Sequence, residues 1–240
     1  MEDDRVPWLA TLRDDRALLG RASTAQRVAE ILRTRITEGA LLPGTRLSEE
    51  MIGTALGVSR NTLREAFRLL VHERLVVHEL NRGVFVRVLD VEDVIDLYRV
   101  RRTLECAAVR DARPASATAL AALEAALLEG ERAATEQRWA DVATANMRFH
   151  QAIAALAGSP RIAEIMRQTL AEIRLAFHVI AAPRAFHQPY LARHRDLLEL
   201  IRAGDADRAH DVLDDYLRTA ERQLVEAYAE RMPRRVPAPR

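Results

Sequence analysis

The sequence predicts a mostly α protein: an N-terminal winged helix-turn-helix followed by an all-α antiparallel helical bundle. Three observations predict it. The 240 residues are 49% hydrophobic but only 5% aromatic, and alanine and leucine dominate the apolar set, which favours helices over sheets. The stretch from Leu56 to Phe67 reads as a tight turn feeding a helix with a polar N-terminal end. From Asp90 to Arg231 helical periodicity repeats with no further hairpin signal.

Residues 1–20 form a charged N-terminal arm with weak patterning. A winged helix-turn-helix is expected over 21–89. Its first helix runs over 24–38, with Val28, Ile31, Leu32 and Ile36 as the apolar stripe and Gly39 at its end. Leu42-Pro43-Gly44-Thr45 is a turn. Ser48 is the candidate N-cap of a second helix with Glu49 and Glu50 in its first turn. That helix stops near Gly57, and Ser59 caps the third. Leu63, Ala66, Phe67 and Leu70 give the third helix one apolar face. Its other face carries Arg60, Asn61, Thr62 and Arg64. Arg reads guanine edges or grips phosphates, and Asn and Thr bind bases or backbone. Two β-branched runs, 75–79 and 84–88, flank Leu80-Asn81-Arg82-Gly83 and predict a hairpin, the wing, with Arg82 at its tip.

An all-helical domain is expected over 90–232, and a disordered tail over 233–240. Six helices are predicted, over 90–110, 116–132, 140–157, 161–181, 189–203 and 206–231. Pro183 stops the fourth and Pro189 opens the fifth. Short connections make this a bundle.

Charge excludes several classes. The net charge of +1 rules out a polybasic protein. Residues 21–89 hold 11 Arg against 7 Glu, a modest local excess that suits a small DNA-binding module. All 36 basic residues are Arg. A single Cys106 excludes an intramolecular disulfide and fits a reducing compartment; its helical position points to inert packing. The acidic start is wrong for a signal peptide, and no apolar run approaches the roughly 20 residues that cross a bilayer. A cytoplasmic protein without membrane contact is expected.

Within the bundle, polar residues on apolar stripes stand out. Arg101 lies between Leu97 and Leu104, with Glu105 four residues on and able to pair with it. Two readings stay open: a buried Arg–Glu pair serving packing, or an Arg that binds an anionic effector. Asn146 and His150 share a helix face. His194 sits on the stripe of Leu191, Leu197, Leu198 and Ile201, and Tyr216 on that of Val212, Leu213, Leu217 and Ala220. Three helices thus aim four polar groups inward. Arg174 and His178 are weaker candidates for a pocket wall; His187 and His210 read as loop and surface residues.

The run from Leu42 to Val86 resembles the N-terminal domain of the GntR family of bacterial transcription regulators. Pro43-Gly44-Thr45-Arg46-Leu47-Ser48-Glu49, Leu56-Gly57-Val58-Ser59-Arg60, Leu63-Arg64-Glu65-Ala66 and Arg82-Gly83-Val84 carry the resemblance. Many members have Thr-Pro where this chain has Asn61-Thr62, a departure that bears on which operator is bound. The helical domain resembles the ligand-binding domain of the FadR subfamily, the FCD type. Arg101-Arg102-Thr103-Leu104-Glu105, Asn146-Met147-Arg148-Phe149-His150 and His194-Arg195-Asp196-Leu197-Leu198 carry that one.

The resemblance implies a homodimer on a double-stranded DNA operator, with Ser59, Arg60, Asn61, Thr62, Arg64 and Arg82 as DNA contacts. It implies a small carboxylate-type effector among Arg101, Asn146, His150, His194 and Tyr216. It also implies a divalent metal held by an Asp and three His, which fall by position on Asn146, His150, His194 and Tyr216. Two of the four depart. Asn146, His150 and His194 remain as candidate ligands for Zn²⁺ or Ni²⁺; the alternative is a metal-free polar pocket in which Tyr216 donates to the effector. The function expected is a ligand-responsive regulator, a repressor released from a palindromic operator by an organic acid, and not an enzyme. Two alternatives are a constitutive DNA-binding dimer and a metal-dependent hydrolase on the bundle. The second lacks a His-Glu-x-x-His motif.

Overall fold

The computed structural model describes residues 23–111 and 115–231; the expected arm and tail lie outside these. Helix α1 (Thr24–Thr37) starts at a capping box in which Ser23 and Gln26 bond each other's backbone N–H. It buries Val28, Ala29, Leu32 and Ile36. Helix α2 (Glu49–Leu56) is capped by the Ser48 side chain, which accepts from Met51 N–H. It ends at Gly57, whose φ of +65° is the left-handed value glycine adopts without strain. Gly53 matters for a different reason: a Cβ there would stand 3.2 Å from Leu63 Cδ1, so the absent side chain lets α2 lie close on α3.

Helix α3 (Arg60–His72) buries Leu63, Ala66, Phe67 and Leu70, the predicted face. Strands β1 (Arg46–Leu47), β2 (Val76–Glu79) and β3 (Gly83–Val86) form an antiparallel sheet in the order β1-β3-β2. Arg46 and Val77 both pair with Phe85 across it. β1 was not foreseen from the sequence. Two residues carry no periodicity, and only the free edge of β3 makes them a strand. Leu47, Leu75, Val76, Val84 and Val86 close the core beneath α1 and α3.

The bundle comprises α4 (Val91–Asp111), α5 (Ala117–Thr135), α6 (Trp139–Ala155), α7 (Pro160–Ala176), a 3₁₀ turn (Phe177–Val179), α8 (Pro183–Ala203) and α9 (Ala206–Arg231). α4 packs along α9 and α5 along α6, while α6, α7 and α8 close the core between them. The two prolines were misplaced in the sequence reading. α7 gives way to the 3₁₀ turn before residue 181, Pro183 begins α8 instead of following a stop, and Pro189 lies inside it. Pro183 needs no N–H partner in the first turn. Pro189 forfeits only one bond to Ala185, while the segment around it buries His187 and Tyr190.

Two arginines join the halves of the molecule. Arg87, just past β3, is paired with Asp93 at the start of α4 and, at 2.9 Å, with Glu172 on α7. Arg174 on α7 donates from Nε to the carbonyl of Thr37 at the end of α1, at 2.7 Å, and from Nη2 to Ala140 on α6, at 3.2 Å. Arg174 therefore ties the two halves together and does not line an interior cavity.

Candidate nucleic-acid interface and buried polar cluster

The N-terminal end of α3 is an open polar surface. Ser59 Oγ accepts from Thr62 N–H at 3.2 Å and lies 2.9 Å from Thr62 Oγ1. These two hydroxyls thus hold the helix start, which fixes where Arg60, Asn61 and Arg64 project. All three are exposed. Among the described residues neither Arg60 nor Arg64 is in an ion pair, whereas Arg68 and Arg82 are paired with Glu65 and Glu79. Helix-terminal N–H groups and free guanidinium groups at one place make an anion-facing surface.

At the wing tip the chain turns through Asn81, at φ +60°, with Arg82 N–H bonded to Glu79 O at 3.1 Å. The Arg82 guanidinium lies 5.4 Å from the Phe85 ring centroid. Arg46 pairs with Phe85 from the other side, and its side chain runs past Gly83. Two arginines therefore stand on the exposed wing face. Arg46 was not singled out from the sequence, because only the β1–β3 pairing brings it beside Arg82.

The second site is buried. Arg101 and Glu105 on α4, Asn146 and His150 on α6, His194 on α8 and Tyr216 on α9 are all less than a tenth exposed. Arg101 Nε donates to Glu105 Oε1 at 2.8 Å. Glu105 Oε2 lies 2.5 Å from His150 Nδ1. His150 Nε2 and His194 Nε2 each lie 3.1 Å from the Tyr216 hydroxyl, and Asn146 Oδ1 lies 3.0 Å from it. Four helices thus contribute to one hydrogen-bonded chain. Phe149 stacks on His194 at 4.2 Å between ring centroids, and Tyr98 lies under the Arg101 guanidinium at 5.0 Å.

Burial sets the charges. It opposes ionisation of Glu105, but Arg101 and His150 outweigh it and hold the carboxyl below its ordinary range. Burial depresses the pKa of both His150 and His194, with Arg101 adding to the effect. Burial drives the Tyr216 phenol well above its ordinary value. The cluster therefore holds one compensated ion pair and otherwise neutral groups.

One phenol proton cannot serve three acceptors, so proton counting constrains the arrangement. His150 Nδ1 faces a carboxylate and carries a proton. If His150 is neutral, its Nε2 accepts the Tyr216 proton. The phenol oxygen then accepts from His194 Nε2–H and from an Asn146 amide turned to present its NH₂. If Tyr216 instead donates to Asn146 Oδ1, both imidazoles must donate to it and His150 becomes a buried cation. The depressed pKa of His150 favours the first arrangement.

Three atoms proposed as metal ligands thus converge on a point that a phenol oxygen already holds. A zinc–imidazole bond is about 2.0–2.1 Å, roughly 1 Å shorter than these contacts. Asn146, His150 and His194 do not fit an ion while Tyr216 stands between them. Among the described residues no group of three or more His, Cys, Asp or Glu is placed to hold one.

Of the remaining sequence candidates, His187 is a correction: it is buried against Phe177 and Phe186, and burial, then Arg174, pulls its pKa down to about 4. The longer α8 accounts for the change, since it turns the expected loop into a packed helical turn. His210 is partly exposed and bonds Asp211. Cys106 is buried, and burial pushes its thiol up to about 12, which leaves it inert.

Comparison with known proteins matches two family models, the gntR family of bacterial regulatory proteins over residues 24–86 and the FCD domain over residues 96–219. A GntR protein of known structure from Rhodococcus sp. RHA1 is similar over 86% of this chain and all of its own, at 46% identity and a TM-score of 0.83. The Nta operon transcriptional regulator of Aminobacter aminovorans is 33% identical over 135 residues, which is 56% of this chain and 64% of that protein. The gluconate operon transcriptional repressor of Bacillus subtilis (strain 168) is 40% identical over 87 residues, 36% of this chain and 35% of its own length.

Proposed function

The chain belongs to the GntR family of bacterial regulatory proteins and carries an FCD domain, and on that premise we propose that it is a repressor released from a palindromic operator by a small organic acid. As a family member it is a transcriptional regulator and not an enzyme. In the proposed complex a homodimer sets two α3 helices in successive major grooves. Arg60, Asn61 and Arg64 read base edges or grip phosphates from the first two turns of α3. Ser59 and Thr62 hold the helix start against the backbone, and Arg82 reaches phosphate from the wing.

The observation that carries the effector half is Arg101 Nη2. This nitrogen is buried and has no hydrogen-bond partner among the described residues. An open buried donor costs on the order of 1–3 kcal/mol, more when charged. A ligand carboxylate would satisfy it in the bidentate geometry guanidinium groups favour. The other cluster groups are already bonded to one another, so a ligand reaching Arg101 would exchange bonds with them.

A route from that cluster to the DNA face runs through α6. Asn146 and His150 lie on α6, and Arg174 joins the Ala140 carbonyl of α6 to the C-terminal end of α1. A shift of α6 on ligand binding would move the carbonyl that α7 grips, and with it the pose of α1 and α3. Among the described residues no helix is long and apolar enough to cross a bilayer.

The test uses an operator duplex selected by the protein from a random pool. A panel of organic acids, amino acids and sugar acids is screened twice, by thermal shift and by fluorescence anisotropy on that duplex. An effector should raise Tm and weaken operator binding by about 5- to 150-fold. A panel that moves neither quantity supports the constitutive dimer instead.

A further inference from the structure

We propose that this chain's FCD domain works without an inner metal ion, because the Tyr216 hydroxyl stands where Asn146, His150 and His194 converge. The geometry carries this. One oxygen, 3.0 Å from Asn146 Oδ1 and 3.1 Å from each imidazole Nε2, closes the same three groups that an ion would have to draw in. It closes them without charge, and the donor set matches. Two imidazoles, a neutral amide and a phenol offer no anionic ligand to offset a divalent charge, whereas an ion needs deprotonated ligands. Glu105, the carboxylate bonded into the cluster among the described residues, is already committed to Arg101 and to His150 Nδ1. Tyr216 is also anchored away from its hydroxyl. Its ring packs at 4.6 Å between centroids on Tyr190, whose own hydroxyl bonds Gln223, and it stacks alongside His194. Swinging it aside would open the core between α8 and α9.

The inference is independent of whether the bundle binds an acid, since metal content is read without effector or DNA. The purified full chain is dialysed against Zn²⁺ and, separately, Ni²⁺, and bound ion is measured by elemental analysis. The expected result is well under one ion per chain, with a Tm unmoved by chelator. Tyr216→His with Asn146→Asp restores an anionic ligand and a third imidazole. This variant should take up about one ion per chain and lose the gain on His150→Ala. Its buried carboxylate should make its Tm rise with added zinc and fall with chelator.

Wild-type protein that binds about one ion per chain, lost on His194→Ala, would overturn the proposal. A folded double variant that takes up no ion would overturn the placement of the hydroxyl at the ion's position. The wild-type measurement needs no variant, so it decides the proposal even if the double variant does not fold.

Discussion

The two sites of this molecule treat the same chemistry in opposite ways. On α3 and the wing, arginines stand in water beside helix-terminal N–H groups, and among the described residues no carboxylate pairs with Arg60 or Arg64. In the bundle, Arg101 is withdrawn from water, charge-compensated by Glu105 and linked through His150 to Tyr216. The open surface stores little folding energy, so its exposed residues can be exchanged at little cost to the core. The closed cluster is part of the core, so any ligand that enters must exchange bonds that the fold already uses.

Breaking the closed cluster should give the largest effect. Arg101→Leu leaves Glu105 buried without its cation, and unfolding in urea should show a loss of about 3–5 kcal/mol. Adding Glu105→Gln should recover part of it, because the uncompensated charge goes too. A double variant no more stable than the single one would mean that the pair is not the source of the loss.

Next comes acid. His187 has a folded pKa of about 4 against an ordinary 6.5. Below the ordinary value the unfolded chain takes up a proton that the folded chain refuses. Stability from this group is therefore complete above about pH 6.5 and is lost as pH falls toward 4, by about 3 kcal/mol in all. His150 and His194, also depressed, push in the same direction. His187→Leu should reduce the slope of stability against pH in this window by about one proton. An unchanged slope would place the acid sensitivity elsewhere.

The open surface gives the smallest effect per residue and none on folding. Arg60→Ala and Arg64→Ala should each weaken operator binding by about 1–3 kcal/mol if they read bases. If they grip phosphate, each should lower the salt slope by about one. Tm should stay put, within about 0.5 kcal/mol of stability. A marked fall in Tm for either would erase the contrast between the two regions.

Much of this was legible in the sequence, and where it was not the reasons are physical. The capping serines at 48 and 59, the glycine at 57 and the 3.6-residue spacing of Leu63, Ala66, Phe67 and Leu70 are local signals, and the α2–turn–α3 unit follows them. The stripes carrying Arg101, His150, His194 and Tyr216 told that these residues face inward, since periodicity reports direction. Periodicity does not report distance. It could not say that Glu105 would bond Arg101 and His150 at once, or that three polar side chains would meet at one phenol oxygen. The prolines of α8 misled because their local preference for breaking helices is outweighed by burial of His187 and Tyr190.

By itself, then, the sequence determined the starts of α1, α2 and α3, the buried face of α3 and its open arginines, because each depends on neighbours within a turn or two. Only the tertiary structure decided that β1 exists, that Arg46 stands beside Arg82, and that Arg174 joins the two halves. It alone placed the Tyr216 hydroxyl among Asn146, His150 and His194. These depend on where α1, α4, α6, α8 and α9 settle against one another, and that is fixed by packing of the whole core.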